Sequence, residues 1–152
     1  MRKVASVLLL LIWLFLIFSF SASDGEKSSS MSDSVIKFFV KTLTNIEEDS
    51  EEMEDIINKY SFPVRKTAHF AEYFILGVIV LNLFLSFNIK KKVLIYTAIF
   101  CILASIVDEF HQTLVEGRNG NIGDVLLDSS GSLIGSYLVC RFYLFKGHLK
   151  SH

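Results

Sequence analysis

The sequence predicts an all-α integral membrane protein, a four-helix bundle with an extracytoplasmic amphipathic helical segment between the first two spans. Hydrophobic residues make up 51% of its 152 residues, and there is a single proline. The apolar residues are concentrated in long runs rather than in periodic stripes, which favours membrane spans over the helices of a soluble protein. The four runs cover residues 4–20, 70–87, 93–107 and 125–145.

The first run is preceded by Arg2 and Lys3 and followed by Ser21-Ala22-Ser23. A basic start, an apolar stretch and small residues are also typical of a cleaved secretory signal. The run is longer than the about 7–15 apolar residues usual in such a signal, so we expect residues 1–22 to remain as an N-terminal membrane anchor. Cleavage is the alternative, and it would leave the topology of the other spans unchanged.

Residues 23–64 form the predicted extracytoplasmic segment. Residues 25–34 are small and polar and predict a linker, and from about Asp33 onward apolar residues recur at helical spacing. A second amphipathic stretch covers residues 51–60, and Pro63 is expected to break the chain before the second span. Such amphipathic helices lie in the membrane interface or cover a bundle. A lid over the polar residues described below is the more specific alternative.

Residues 65–146 hold the other three runs and form the predicted membrane core, followed by a cytoplasmic tail at residues 147–152. A span needs about 17–25 residues, a length that the third run reaches only if its helix continues through residues 108–112. With four alternating helices, three basic clusters fall on one side, and Lys and Arg favour the cytoplasmic side. These clusters are Arg2-Lys3, Lys90-Lys91-Lys92, and Arg141 with Lys146 and Lys150. Both termini are therefore predicted to be cytoplasmic, and the basic residues Arg65 and Lys66 are exceptions on the outer side.

Two groups of polar side chains adjoin the later runs and are predicted to meet at the outer face. An ionisable residue costs about 2.5–3.5 kcal/mol at the centre of a membrane helix. We therefore expect these residues to serve either chemistry or the association of the helices. The candidates are Lys66, His69, Glu72 and Tyr73 in the first group, and Asp108, Glu109, His111, Gln112, Arg118, Asp124 and Asp128 in the second.

In the first group, helical spacing places His69 and Glu72 on one face, with Lys66 one turn earlier. The pair serves either as an interhelical hydrogen bond or in metal ligation or proton transfer, since imidazole and carboxylate are usual in both. Lys66 lies near the water and is equally explained by extending towards it.

In the second group, the third span is predicted to continue to Glu116, with Gly117 just past its end. Glu109 then points partly aside. The residues predicted to share the inward face are Asp108, His111 and Gln112.

The remaining candidates follow in a glycine-rich loop and the fourth span. The forked side chain of Arg118 suits a carboxylate, phosphate or pyrophosphate, or else an internal pair with Asp124 or Glu109. Asp124 is favourable at a helix start for capping alone. Asp128 lies one turn deeper and is expected to face a partner inside the bundle, for which the candidates are His69, Lys66 and Arg118. The spacing of Gly131 and Gly135 permits close helix approach.

These residues resemble the two motifs of the VanZ-like membrane proteins. The first motif is matched by Lys66-x-x-His69-Phe70-x-x-Tyr73-x-x-Leu76-Gly77, and the second by Asp108-Glu109-x-x-Gln112 followed by Arg118, Asp124, Gly131 and Gly135. The resemblance covers about Lys66 to Tyr137. One position departs from it, because the family usually has Asn where this chain has Asp128.

The resemblance implies a bacterial plasma-membrane protein of the cell envelope. Through the family's namesake it also implies lowered susceptibility to teicoplanin, a lipid-tailed glycopeptide antibiotic, but it implies no reaction. One possible function is an outer-face polar pocket that contacts an anionic or amphiphilic ligand, such as a lipid-linked cell-wall precursor or the lipoglycopeptide.

Two other functions stay open. One is a membrane-embedded enzyme that acts on lipid head groups or lipid-linked wall precursors, with a His/Glu/Asp acid–base or metal site. The other is that the polar residues only lock the helices together. The lipid bilayer is the expected environment and no nucleic-acid partner is expected, while the sequence identifies no cofactor and no particular metal.

Overall fold

The computed structural model describes residues 1–23, 25–44 and 46–146, which form helices joined by turns and short loops, with no strand. The helices are α1 (Arg2–Ser21), α2 (Gly25–Leu43), α3 (Glu51–Ser86), α4 (Val93–Gln112) and α5 (Ile122–Phe145). The all-α prediction is confirmed for these residues. The predicted tail at residues 147–152 lies outside the described residues.

Three of the described helices, α1, α3 and α4, are long and apolar enough to cross a membrane. The sequence predicted four spans, and α5 is not among the three. Its 24 residues are sufficient in length, but Asp124, Asp128 and Arg141, together with its serines and glycines, make it less apolar. Three candidate spans are therefore established by length and composition, and the four-helix membrane bundle stays a prediction.

Helix α4 has large apolar side chains on its outside and polar side chains on its buried face. In α4, Leu103 and Phe110 are exposed, whereas Thr97 and Ser105 are completely buried. A soluble helix has the reverse arrangement, with its apolar stripe on the core and its polar residues outside. Outward apolar faces are stable in lipid, and together with the helix lengths they indicate a membrane protein.

Helix α3 is at the centre and contacts each of the other four helices. Helix α5 runs parallel to it, since Lys66 bonds to Asp124 at one end of the pair and Tyr143 donates to Asn82 over 2.8 Å at the other. Helices α1 and α4 run antiparallel to α3. Four regions consequently meet at one end of the molecule, which we call the polar end. They are the last turns of α1 and α4, the first turns of α5 and the turn of α3 that carries His69.

Glycines bring α3 and α5 into backbone contact. A side-chain carbon added at Gly135 would meet the carbonyl group of Phe74, and one added at Gly77 would meet the carbonyl group of Ser132. Gly131 similarly faces the carbonyl group of Phe70. The prediction that Gly131 and Gly135 permit close helix approach is confirmed, and Gly77 provides the complementary surface on α3.

Two sequence predictions about residues 23–64 are wrong. Pro63 lies inside α3 and does not break it. Proline removes its own N–H bond and its ring crowds the carbonyl group four residues earlier, but packing elsewhere along a helix can outweigh that loss. Residues 25–34 are not a linker, because α2 begins at Gly25. Contacts to α3 hold this early part of α2 in place, including the bond from Ser61 to Asp33 and the bond of 2.7 Å from Arg65 to Ser29.

Helix α4 also ends earlier than predicted, at Gln112 rather than Glu116. The chain turns through residues 113–121, with Gly117 in the left-handed region at a φ of 72°. This turn lets the loop fold back over the bundle, so that the backbone N–H of Asn121 donates to Glu109 over 2.8 Å. A helix continuing to Glu116 would carry the loop away from that contact.

Candidate functional site

Four predicted residues from three helices form a buried cluster at the polar end. His69 comes from α3, Asp108 and Glu109 from α4, and Asp128 from α5. One ligand atom of each lies within 4.8 Å of the corresponding atoms of the others. The exposed fraction of the three acidic residues is 0% for Asp108, 4% for Glu109 and 0% for Asp128. We call these four residues the carboxylate cluster.

Neighbouring donors hold the carboxylates of the cluster in place. Gln112 Nε2 donates to Asp108 Oδ2 and to Glu109 Oε1, both over 3.1 Å. Ser105 donates to Asp128 Oδ2 over 3.0 Å. His69 Nδ1 lies 4.0 Å from Asp128 Oδ1, so Asp128 does face a partner inside the bundle, as the sequence predicted.

Asp124 does not serve mainly as a cap, which was one of its predicted roles. Asn121 is the residue that caps α5, with its side chain accepting from the N–H of Gly123 over 2.9 Å. Asp124 instead forms a salt bridge with Lys66. Lys66 therefore lies against α5 rather than extending freely into water.

Arg118 reaches from the loop to the end of α1 and to His69. Its Nη1 atom donates to the carbonyl oxygen of Ser21 over 3.1 Å and lies 3.3 Å from that of Phe20. Its Nη2 atom lies 3.5 Å from His69 Nε2. The predicted internal pair with Asp124 or Glu109 is absent among these described contacts, because the guanidinium instead satisfies carbonyl groups that α1 leaves open at its C-terminus. Burial, followed by the nearby charge of Arg65, lowers the pKa of Arg118 from its ordinary value.

A cavity of about 160 Å³ opens beside Arg118, between the end of α1, α2 and α3. Its polar lining consists of Arg65, His69, Glu72 and Arg118, with Ser28 and Ser32 of α2. Its apolar lining consists of Phe20, Met31, Val35, Val64 and Ala68. A polar cleft of about 440 Å³ shares Arg65, His69 and Arg118 with it and extends to Lys66, Asp124 and the loop at residues 117–121. We call the smaller space the amphipathic cavity.

The VanZ/LLP1 family model matches residues 6–145, nearly the whole chain. The chain belongs to the VanZ/LLP1 family. The match begins within α1 and includes α2, so the family relationship extends well beyond the region of the two motifs. No curated protein and no solved structure matches the chain.

The structure places three candidates of this VanZ/LLP1 chain in different surroundings. His111 lies outside the carboxylate cluster, and its ring meets the edge of Phe18 with centroids 6.3 Å apart. Glu109, predicted to point partly aside, faces inward, because α4 turns both it and Asp108 towards α3 and α5. Tyr73 is 1% exposed and packs in the apolar core with Leu10 and Ile17 of α1.

Sequence reasoning missed several residues that support the site of this VanZ/LLP1 protein. Ser105 orients Asp128, and the backbone of Asn121 orients Glu109. A signal for Ser105 was present, because small or polar residues recur along α4 at spacings of four, four, three and four. That buried stripe consists of Thr97, Cys101, Ser105, Asp108 and Gln112. The contact from Asn121 has no comparable signal, since it depends on how the loop folds back.

Proposed function

We propose that this VanZ-type protein lies in the bacterial plasma membrane with its polar end at the outer face and binds the anionic head group of an amphiphilic envelope molecule. The observation that carries the proposal is the amphipathic cavity, in which Arg65, His69 and Arg118 adjoin an apolar wall. A lipid-linked cell-wall precursor and a lipoglycopeptide such as teicoplanin both combine an anionic group with a hydrocarbon chain.

The two arginines supply donors for such a head group. Arg65 uses Nη2 for Ser29, while its buried Nε atom has no hydrogen-bond partner. Arg118 presents its Nη2 atom beside His69. Guanidinium groups bind carboxylate and phosphate oxygens through several N–H groups at once, so an anion between these residues would satisfy donors that the chain leaves open.

The apolar side of the cavity suits the first part of a hydrocarbon chain. Met31 and Val35 of α2 line the cavity and are each 44% exposed. A cavity of about 160 Å³ holds only part of an amphiphile. The rest of the hydrocarbon chain would therefore extend out of the cavity, over these exposed side chains, towards the bilayer.

The proposed membrane orientation is supported by the parallel packing of α3 and α5. Their contacts extend from the Lys66–Asp124 salt bridge to the hydrogen bond between Asn82 and Tyr143. Helix α5 therefore accompanies the apolar part of α3 over nearly its whole length, as a fourth span would. With the basic clusters on the cytoplasmic side, both termini are cytoplasmic and the polar end faces outward.

Binding of dodecyl phosphate to the purified full-length protein tests the proposal. We expect Arg65→Met to weaken binding about tenfold, because a hydrogen bond to a charged group contributes about 1.5–3 kcal/mol. Lys59→Met is the matched control, since Lys59 is exposed and lies outside the cavity. Equal affinities of wild type and Arg65→Met for dodecyl phosphate would contradict the proposal.

The same experiment distinguishes binding from the enzymatic alternative. Recovery of intact dodecyl phosphate is expected for a binding pocket. Release of inorganic phosphate by the wild type, and not by a His69→Gln variant, would favour an enzyme acting on head groups.

In cells, the proposal predicts lower teicoplanin susceptibility for the wild type than for an Arg118→Ala variant. The two must be compared at equal membrane abundance, because Arg118 also bonds to the end of α1. Identical susceptibility would separate the cavity from any role in teicoplanin resistance.

A further inference from the structure

The carboxylate cluster has the composition and geometry of a metal site. Its four residues bring one imidazole and three carboxylates together from three helices, with ligand atoms within 4.8 Å of one another. Four tetrahedral ligands of an ion bound at about 2.1 Å are about 3.4 Å apart. Only small side-chain adjustments would therefore be needed for all four residues to coordinate one ion.

Atoms that could bind such an ion are buried and have no partner. Asp108 Oδ1, Asp128 Oδ1 and His69 Nδ1 make no hydrogen bond in the part of the chain that the structure describes. Both aspartates are completely buried. Buried polar atoms are normally hydrogen-bonded, so these open atoms require an explanation.

The surrounding hydrogen bonds orient all three carboxylates and leave one oxygen each of Asp108 and Asp128 without a partner. Asp108 is held through Oδ2 by Gln112, and Asp128 through Oδ2 by Ser105. Glu109 is held by Gln112 and by the backbone of Asn121. Metal-binding carboxylates are typically oriented by an outer layer of hydrogen bonds of this kind.

The nearby basic side chains are engaged elsewhere. Lys66 forms its salt bridge with Asp124, and Arg118 Nη1 donates to the carbonyl oxygens at the end of α1. Three carboxylates that share a buried site repel one another unless positive charge or protons neutralise them. A divalent cation would neutralise most of that charge and fill the open coordination sites.

We propose that His69, Asp108, Glu109 and Asp128 bind one divalent transition-metal ion, of the class of Mn²⁺ or Zn²⁺. Carboxylate oxygens suit Mn²⁺, whereas an imidazole nitrogen also suits Zn²⁺. The ion would lie at Nδ1 of His69. Nε2 would then carry the proton, so the contact of 3.5 Å with Arg118 Nη2, which needs an accepting Nε2, would give way. The site shares His69 with the amphipathic cavity, but its three carboxylates lie outside that cavity, so metal binding does not require an amphiphile.

Metal content of the purified full-length protein tests the site. After chelator treatment and equilibration with Mn²⁺ or with Zn²⁺, we expect one ion per chain by elemental mass spectrometry. Saturating metal should also raise the unfolding temperature, because it binds the folded state. Asp128→Asn, which keeps the size of the side chain and an acceptor for Ser105, should weaken ion binding at least about tenfold and remove that rise.

Two histidine variants provide a matched comparison. His69→Gln should lose ion binding, whereas His111→Gln should retain it, because His111 packs against Phe18 outside the cluster. The proposal is overturned if neither metal binds the wild type stoichiometrically, as expected if protons neutralise the carboxylates. It is also overturned if Asp128→Asn and His69→Gln bind the ion as tightly as the wild type.

Discussion

Gly135 lies where α5 packs directly against the backbone of α3. A side-chain carbon there would stand 3.1 Å from the carbonyl carbon of Phe74. Because a main-chain carbonyl cannot move without shifting the helix, this position excludes even a methyl group. The close contact sets the distance between the helix that carries His69 and the helix that carries Asp128.

We therefore expect Gly135→Ala to destabilise the protein by about 1–3 kcal/mol, the usual cost of overpacking a tight contact. Gly123→Ala in the same helix is the control, since its added carbon would come no closer than 3.4 Å to its neighbours. Alanine also favours a helix over glycine by up to about 1 kcal/mol, so the control should be neutral or slightly stabilising. Thermal unfolding in detergent compares the two, and a Gly135→Ala protein as stable as the control would contradict the expectation.

Helix α1 is an integral part of the bundle. Leu10 and Ile17 are buried in the core with Tyr73, and Trp13 Nε1 donates to the carbonyl oxygen of Glu72 over 3.0 Å. Arg118 binds the carbonyl oxygens at its C-terminal end. A cleaved signal would have left all of these contacts unmade.

We accordingly expect the membrane-inserted protein to retain α1. Intact mass spectrometry of protein purified from membranes should give a mass that includes residues 1–22. A mature N-terminus at Ser23 would instead identify residues 1–22 as a removed signal.

The sequence predicted helices well where the signal was local and failed where distant contacts decided the outcome. Apolar runs located α1, α3 and α4, and three- and four-residue spacing correctly placed Asp108 and Gln112 on one face. The start of α2 at Gly25 depends on contacts such as Arg65 to Ser29, 36 residues away. The early end of α4 depends on the loop, whose Arg118 reaches the carbonyl oxygen of Ser21, 97 residues away. No local sequence pattern indicates contacts between residues so far apart in the chain.

At the scale of the whole molecule, large apolar side chains cover the outside of the spans, and both apolar and polar side chains are buried between them. This organisation fits a bilayer around the spans and water at their ends. The sequence predicted that the two polar groups would meet, and they do meet at the polar end. Which residues would be paired there was less predictable, as the salt bridge of Asp124 with Lys66 illustrates.

Single cysteines test the proposed orientation of the molecule. Glu52→Cys and Asn119→Cys should react with a membrane-impermeant maleimide in intact spheroplasts, whereas Lys91→Cys should react only after permeabilisation. The two natural cysteines, Cys101 and Cys140, are buried and should contribute little background. Labelling of position 52 and position 119 from opposite sides would contradict an outward-facing polar end.

Helix α3 has 36 residues, which corresponds to a length of about 54 Å at 1.5 Å per residue. The hydrocarbon layer of a membrane is about 30 Å thick, so α3 is roughly 24 Å longer than that layer is thick. Since α3 continues through Pro63, its N-terminal part and the turn that carries His69 belong to one continuous helix. A molecule that tilts the N-terminal part of α3 would therefore move His69 relative to Asp108 and Asp128.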